Sequence, residues 1–91
     1  MTVPYGTRRI EITSLARAKL KRAELDEVYD TCRSRGLRLF LMFSARERTY
    51  VATLTAGGRT VEGRDAQPIE AFRKALALYE GPRIASLLDA S

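Results

Sequence analysis

Three observations predict an α+β fold. Two stretches with strand character flank a charged loop, a Gly-Gly turn leads into a third, and amphipathic helical stretches lie before and after them. The expected order is α-β-β-β-α: a three-stranded antiparallel sheet with two main helices packed on one face, preceded by a basic N-terminal segment. At 91 residues the chain is a single α+β domain over 1–91. It divides into a basic arm and short helix (1–23), the α-β-β-β-α core (24–80) and a C-terminal helical turn (81–91).

Residues 1–7 carry Pro4 and Gly6 and read as a loose arm. Arg8–Thr13 then alternates as a short strand would, with Ile10 and Ile12 on one side and Arg9, Glu11 and Thr13 on the other. Ser14 is placed to cap the helical stretch that follows. That stretch, from about Leu15 to Arg35, changes phase. Leu25, Val28, Tyr29 and Cys32 form one apolar stripe at i, i+3, i+4 and i+7. Stepped backwards, the stripe meets Arg22, Lys21 and Ala18, while Ala16, Leu20 and Ala23 lie on another side. A short basic helix leading into a longer one, with a break near Lys21 and a cap at Gly36, accounts for this.

Leu37–Ser44 is the strongest strand, with Leu37, Leu39, Leu41 and Phe43 on one face and Arg38, Phe40 and Met42 on the other. Thr49–Ala56 is the second, rich in β-branched residues, after the hairpin loop Ser44–Arg48. Gly57-Gly58 makes a two-residue turn into a short third strand, Arg59–Glu62. Gly63–Ala66 connects to the last helix, capped by Gln67 or Asp65, with Pro68 in its first turn and Glu70 complementing its dipole. Ile69, Phe72, Leu76 and Tyr79 are its core stripe. Gly81-Pro82 is expected to stop it, and Ile84, Leu87 and Leu88 to form a final turn against the domain.

From Glu24 to Glu80 this order resembles the double-stranded RNA-binding domain. Tyr50–Leu54 through Gly57–Gly63 is similar to that family's second and third strands, and Ala71 with Ala75-Leu76-Ala77 to the small-residue face of its second helix. The resemblance implies the fold. The family's binding residues do not match: Asp65-Ala66-Gln67-Pro68-Ile69-Glu70 stands where its phosphate-gripping lysines would be, and Ala45-Arg46-Glu47-Arg48 lacks its Pro-His element.

Composition removes much catalytic chemistry. There is no histidine, and Cys32 is the only cysteine. The usual general base near neutral pH, the Ser-His and Cys-His pairs and cysteine metal clusters are absent, as is any internal disulfide. A small domain without disulfides suits a reducing cytoplasm. Met1–Gly6 has no apolar run, so a cytoplasmic protein without a signal peptide is expected, and Leu39–Phe43 is too short to span a bilayer. Asp26, Glu27 and Asp30 read as a solvated acidic helix face, Cys32 as a core residue, and Gly57-Gly58 as a turn rather than a phosphate loop. The expectation is a non-enzymatic protein with no cofactor and no metal.

The net charge is +5, and its distribution is informative. Residues 1–23 hold Arg8, Arg9, Arg17, Lys19, Lys21 and Arg22 against Glu11 alone, while the remainder is balanced. A localised excess suits an anionic partner. The first reading is a nucleic-acid-binding module whose basic segment grips phosphates, DNA or RNA. The second is a protein-binding adaptor or inhibitor of phage or mobile-element type, for example an anti-CRISPR-like protein. It would act through Phe40, Met42 and Tyr50, or form a homodimer through the open sheet face. Phe40 with Tyr50 as a stacking platform for single-stranded bases is a further reading of that surface. Each stands against a plainer one, namely a solvated basic face and an apolar face covered by the chain's own ends.

Overall fold

The alternating strands assemble into a four-stranded mixed sheet in a computed structural model that describes residues 10–90, and side chains over 10–80. The elements run β1 (Ile10–Ile12), α1 (Ser14–Ala18), α2 (Arg22–Arg35), β2 (Arg38–Ser44), β3 (Thr49–Ala56), β4 (Arg59–Asp65) and α3 (Pro68–Ala90), with sheet order β1-β2-β3-β4. The α+β class and the α-β-β-β-α order from α2 to α3 are both present. The expected three-stranded antiparallel sheet is corrected to four strands, because β1 pairs parallel to β2, Ile10 opposite Leu39 and Ile12 opposite Leu41. A parallel pair needs a long crossover, and α1 with α2 supplies it.

Register sorts the two faces. Leu39, Leu41 and Phe43 of β2 stand opposite Leu54, Ala52 and Tyr50 of β3, and this side packs against the helices. Ala16 and Leu20, Val28 and Cys32 of α2, and Ile69, Ala71, Phe72 and Ala75 of α3 complete the core. The other face carries Phe40, Met42, Val51 and a set of threonines.

The expected break near Lys21 is real: α1 ends at a Lys19 cap and α2 restarts after Lys21, whose backbone N–H donates to Glu24 at 2.9 Å. Each helix therefore turns its own side inward, Ala16 from α1 and Val28 and Cys32 from α2, while Leu15 stays exposed. Thr13, not Ser14, is the N-cap of α1, and its hydroxyl is buried without a partner among the described residues. Gly36 ends α2 with φ 65°, and Gly57 and Gly58, both at positive φ, make the tight β3–β4 turn.

β4 runs on to Asp65 because Gly63 lies beneath α3, where a bare α-carbon lets the helix come close. Asp65 accepts a hydrogen bond from the Gln67 N–H at 2.9 Å as α3 begins. The expected stop at Gly81-Pro82 is also corrected, since α3 continues to Ala90. Proline has no N–H to give the carbonyl four residues earlier, that of Leu78. The Arg59 guanidinium donates to that carbonyl at 3.3 Å and to the Tyr79 carbonyl at 2.9 Å, with its charge 5.0 Å from the Tyr79 ring centroid. The loose arm 1–7 and the side chains of Ile84, Leu87 and Leu88 lie outside what is described.

Candidate functional site

The α1–α2 junction gathers Arg17, Lys19, Lys21 and Arg22 within six residues, and all four are exposed. Among the described residues none of them makes an ion pair. Elsewhere several acids are engaged: Arg35 pairs with Glu80, Arg64 with Glu47 and Glu62, Arg73 with Glu27 and Glu70, and Lys74 with Asp65. The Arg73 guanidinium holds the Glu27 carboxyl below its usual range, and Lys74 with the Gln67 N–H does the same for Asp65. The junction thus concentrates four exposed cations in a short stretch of chain, while Arg33, Arg46 and Arg48, likewise exposed and without an ion pair among the described residues, lie elsewhere. Arg8 and Arg9 lie outside the described residues.

Arg17 is the one fixed member of the set. Its guanidinium donates to the Tyr29 hydroxyl at 2.9 Å, bridging α1 to α2. Sequence periodicity places Tyr29 on the core stripe, but its polar end belongs to a cleft of about 360 Å³ lined by Ile10, Glu11, Ile12, Thr13, Arg17, Tyr29 and Phe40. This cleft is the feature the sequence reading misses. Its walls come from β1, α1, α2 and β2, and no local pattern announces a contact twelve residues long across a helix break.

β1 is an edge strand among the described residues. The Thr13 amide donates to the Leu41 carbonyl at 3.0 Å. Strand amides alternate in direction, so the N–H and C=O groups of Ile10 and Ile12 point to the free edge.

The three residues expected to form a protein interface are not brought together. Phe40 is 42% exposed on the open face, and Met42 lies beside it, half-buried. Tyr50 is on the core face, buried against Phe43 with ring centroids 4.9 Å apart. Phe40 and Tyr50 therefore cannot act as one stacking platform.

Cys32 is fully buried, and desolvation pushes its thiol up to about 11. Among the described residues no group of three His, Cys, Asp or Glu is placed to hold a metal ion, and no helix is long and apolar enough to cross a membrane. The chain matches no protein-family model, no curated protein and no solved structure.

Proposed function

We propose that this protein is a non-enzymatic nucleic-acid-binding module that grips the phosphate backbone through its basic N-terminal segment, with the α+β body as scaffold. The observation that carries this is the clustering of four exposed cations at the α1–α2 junction without carboxylate partners among the described residues. Arg17, Lys19, Lys21 and Arg22 would each displace counterions from a phosphate, and Arg8 and Arg9 add to the same charge in sequence. An arginine held by a tyrosine hydroxyl keeps its remaining donors for a forked phosphate contact.

Titration of labelled DNA and RNA between ~50 and ~200 mM salt tests the reading, since phosphate contacts weaken steeply over that range. Changing Lys19, Lys21 and Arg22 together to Ala should lower affinity alike for all sequences and flatten the log–log salt slope by about 2–3. Unaltered binding by the triple variant would overturn it.

The exposed Phe40 beside Met42 favours a second reading, a protein-binding adaptor or inhibitor using the open sheet face. Under that reading no nucleic acid binds even at low salt, and a charged residue at Met42 abolishes a partner complex while the domain stays folded.

A further inference from the structure

We infer that the nucleic acid held at the basic junction is single-stranded, and that the cleft beside β1 takes one of its unpaired bases. This rests on the phosphate-binding reading above and adds the class of strand. The two features are physically continuous, because Arg17 belongs both to the cleft wall and to the cationic set, and Lys19, Lys21 and Arg22 follow it within five residues. A strand gripped by those side chains passes the mouth of the cleft.

The lining has the chemistry of a base site. Unpaired bases are recognised by stacking on aromatic rings or guanidinium planes and by hydrogen bonds to their Watson–Crick edges. The cleft offers the exposed ring of Phe40 and the guanidinium of Arg17, immobilised by Tyr29. For the base edge it offers the Glu11 carboxylate and the N–H and C=O groups of Ile10 and Ile12, which point away from β2 and have no partner among the described residues. In a duplex those base edges are already paired, so a duplex would meet the lysines and leave the cleft unused.

Charge decides against the other occupants of an edge-strand groove. A second copy pairing antiparallel along β1 about a two-fold at Glu11 would set two Glu11 carboxylates directly opposite each other. It would also bring two basic junctions together, and both placements are repulsive. An acidic extended peptide would suit the lysines but would meet Glu11 inside the cleft and leave the Phe40 ring without a role.

The test compares a short single strand of mixed sequence with its duplex by fluorescence anisotropy at one ionic strength. Wild type, Phe40→Ala, Phe40→Trp and the triple Lys19, Lys21, Arg22 to Ala variant are titrated. The single strand should bind more tightly than the duplex. Phe40→Ala should weaken the single strand roughly tenfold and leave the duplex unchanged, since stacking of one base is at stake. Phe40→Trp keeps a π face and should retain single-strand affinity, which separates stacking from any packing role. The triple variant should weaken both. Equal binding of both strand types, unaffected by Phe40→Ala but lost in the triple variant, would overturn the cleft assignment and leave the phosphate reading standing. Absence of binding by either strand would remove both, and saturable binding of an acidic peptide in its place would assign the groove to a protein.

Discussion

Replacing Gly63 with Ala should loosen the sheet from its longest helix. A β-carbon built at Gly63 would lie 2.4 Å from the Ala71 carbonyl oxygen, 2.4 Å from the Ala75 nitrogen and 2.9 Å from the Ala75 α-carbon. All three are helix backbone, so no side-chain rotation relieves the overlap, and α3 must retreat from β4 by roughly 1 Å to reach ordinary contact. A gap of 0.5–1 Å already forfeits about a quarter to a half of each van der Waals well it opens. The interface that would open holds Ile69, Ala71, Phe72 and Ala75, all buried. Overpacking of this kind costs about 1–3 kcal/mol.

A domain of this size has about 5–14 kcal/mol of stability in all, and 1 kcal/mol moves its melting point by about 4–8 °C. Gly63→Ala should therefore melt roughly 5–20 °C lower by circular dichroism, with a lower urea midpoint. The strand conformation is not at issue, because Gly63 is not among the glycines at positive φ. A variant that melts within about 2 °C of wild type, well under 1 kcal/mol, would show that α3 does not pack this closely on β4.

The Arg59 clamp makes a second prediction. Arg59→Ala removes a charged donor from the Tyr79 and Leu78 carbonyls and should cost about 1–3 kcal/mol. Pro82→Ala, which restores the missing N–H, should reduce that cost in a double-mutant cycle of thermal melts, whereas simple additivity would refute the role assigned to Arg59. Acid should also destabilise the fold in a defined window. Glu27 and Asp65 both have carboxyls lowered in the native state, so their contribution is complete above their unfolded values of about 4.3 and 3.9 and is lost as pH falls through the lower folded values. Urea midpoints should be flat from pH 7 to about pH 5 and decline below about pH 4, with a shallower decline in Glu27→Gln.

Much of the core was legible because its causes are local. Alternation from Leu37 to Phe43 names the buried face of β2, the change of phase at Lys21 gives the helix break, and Gly36 and Gly57-Gly58 mark their own turns. What was not legible depends on partners distant in the chain. Three residues of β1 carry too little pattern to show that they pair parallel with Leu39–Leu41. Pro82 reads as a helix stop by every local rule, and the donor that compensates it comes from Arg59, about twenty residues from the carbonyls it serves. Tyr50 was grouped with Phe40 because composition does not give register; the β2–β3 pairing aligns it with Phe43 and so with the opposite face. Arg17 and Tyr29 meet only because the chain breaks between their helices.

The two sheet edges also bear on where the proposed binding surface falls. An α-β-β-β-α core alone would leave β2 as an edge, with Leu39 and Leu41 at its margin. Adding β1 and α1 covers that margin with Ile10, Ile12, Ala16 and Leu20 and moves the free edge outward to β1. The same addition carries Arg17, Lys19, Lys21 and Arg22 to that side of the molecule. At the other edge, β4 has its charges tied off, with Arg64 on Glu62 and Glu47, Asp65 on Lys74, and Arg59 turned in to α3. Edges with paired charges and a covering helix resist further association. The β1 edge has the opposite character among the described residues, with outward backbone groups, a cleft and cations without ion pairs together, and this is the side of the sheet that the proposed binding of an anionic chain would use.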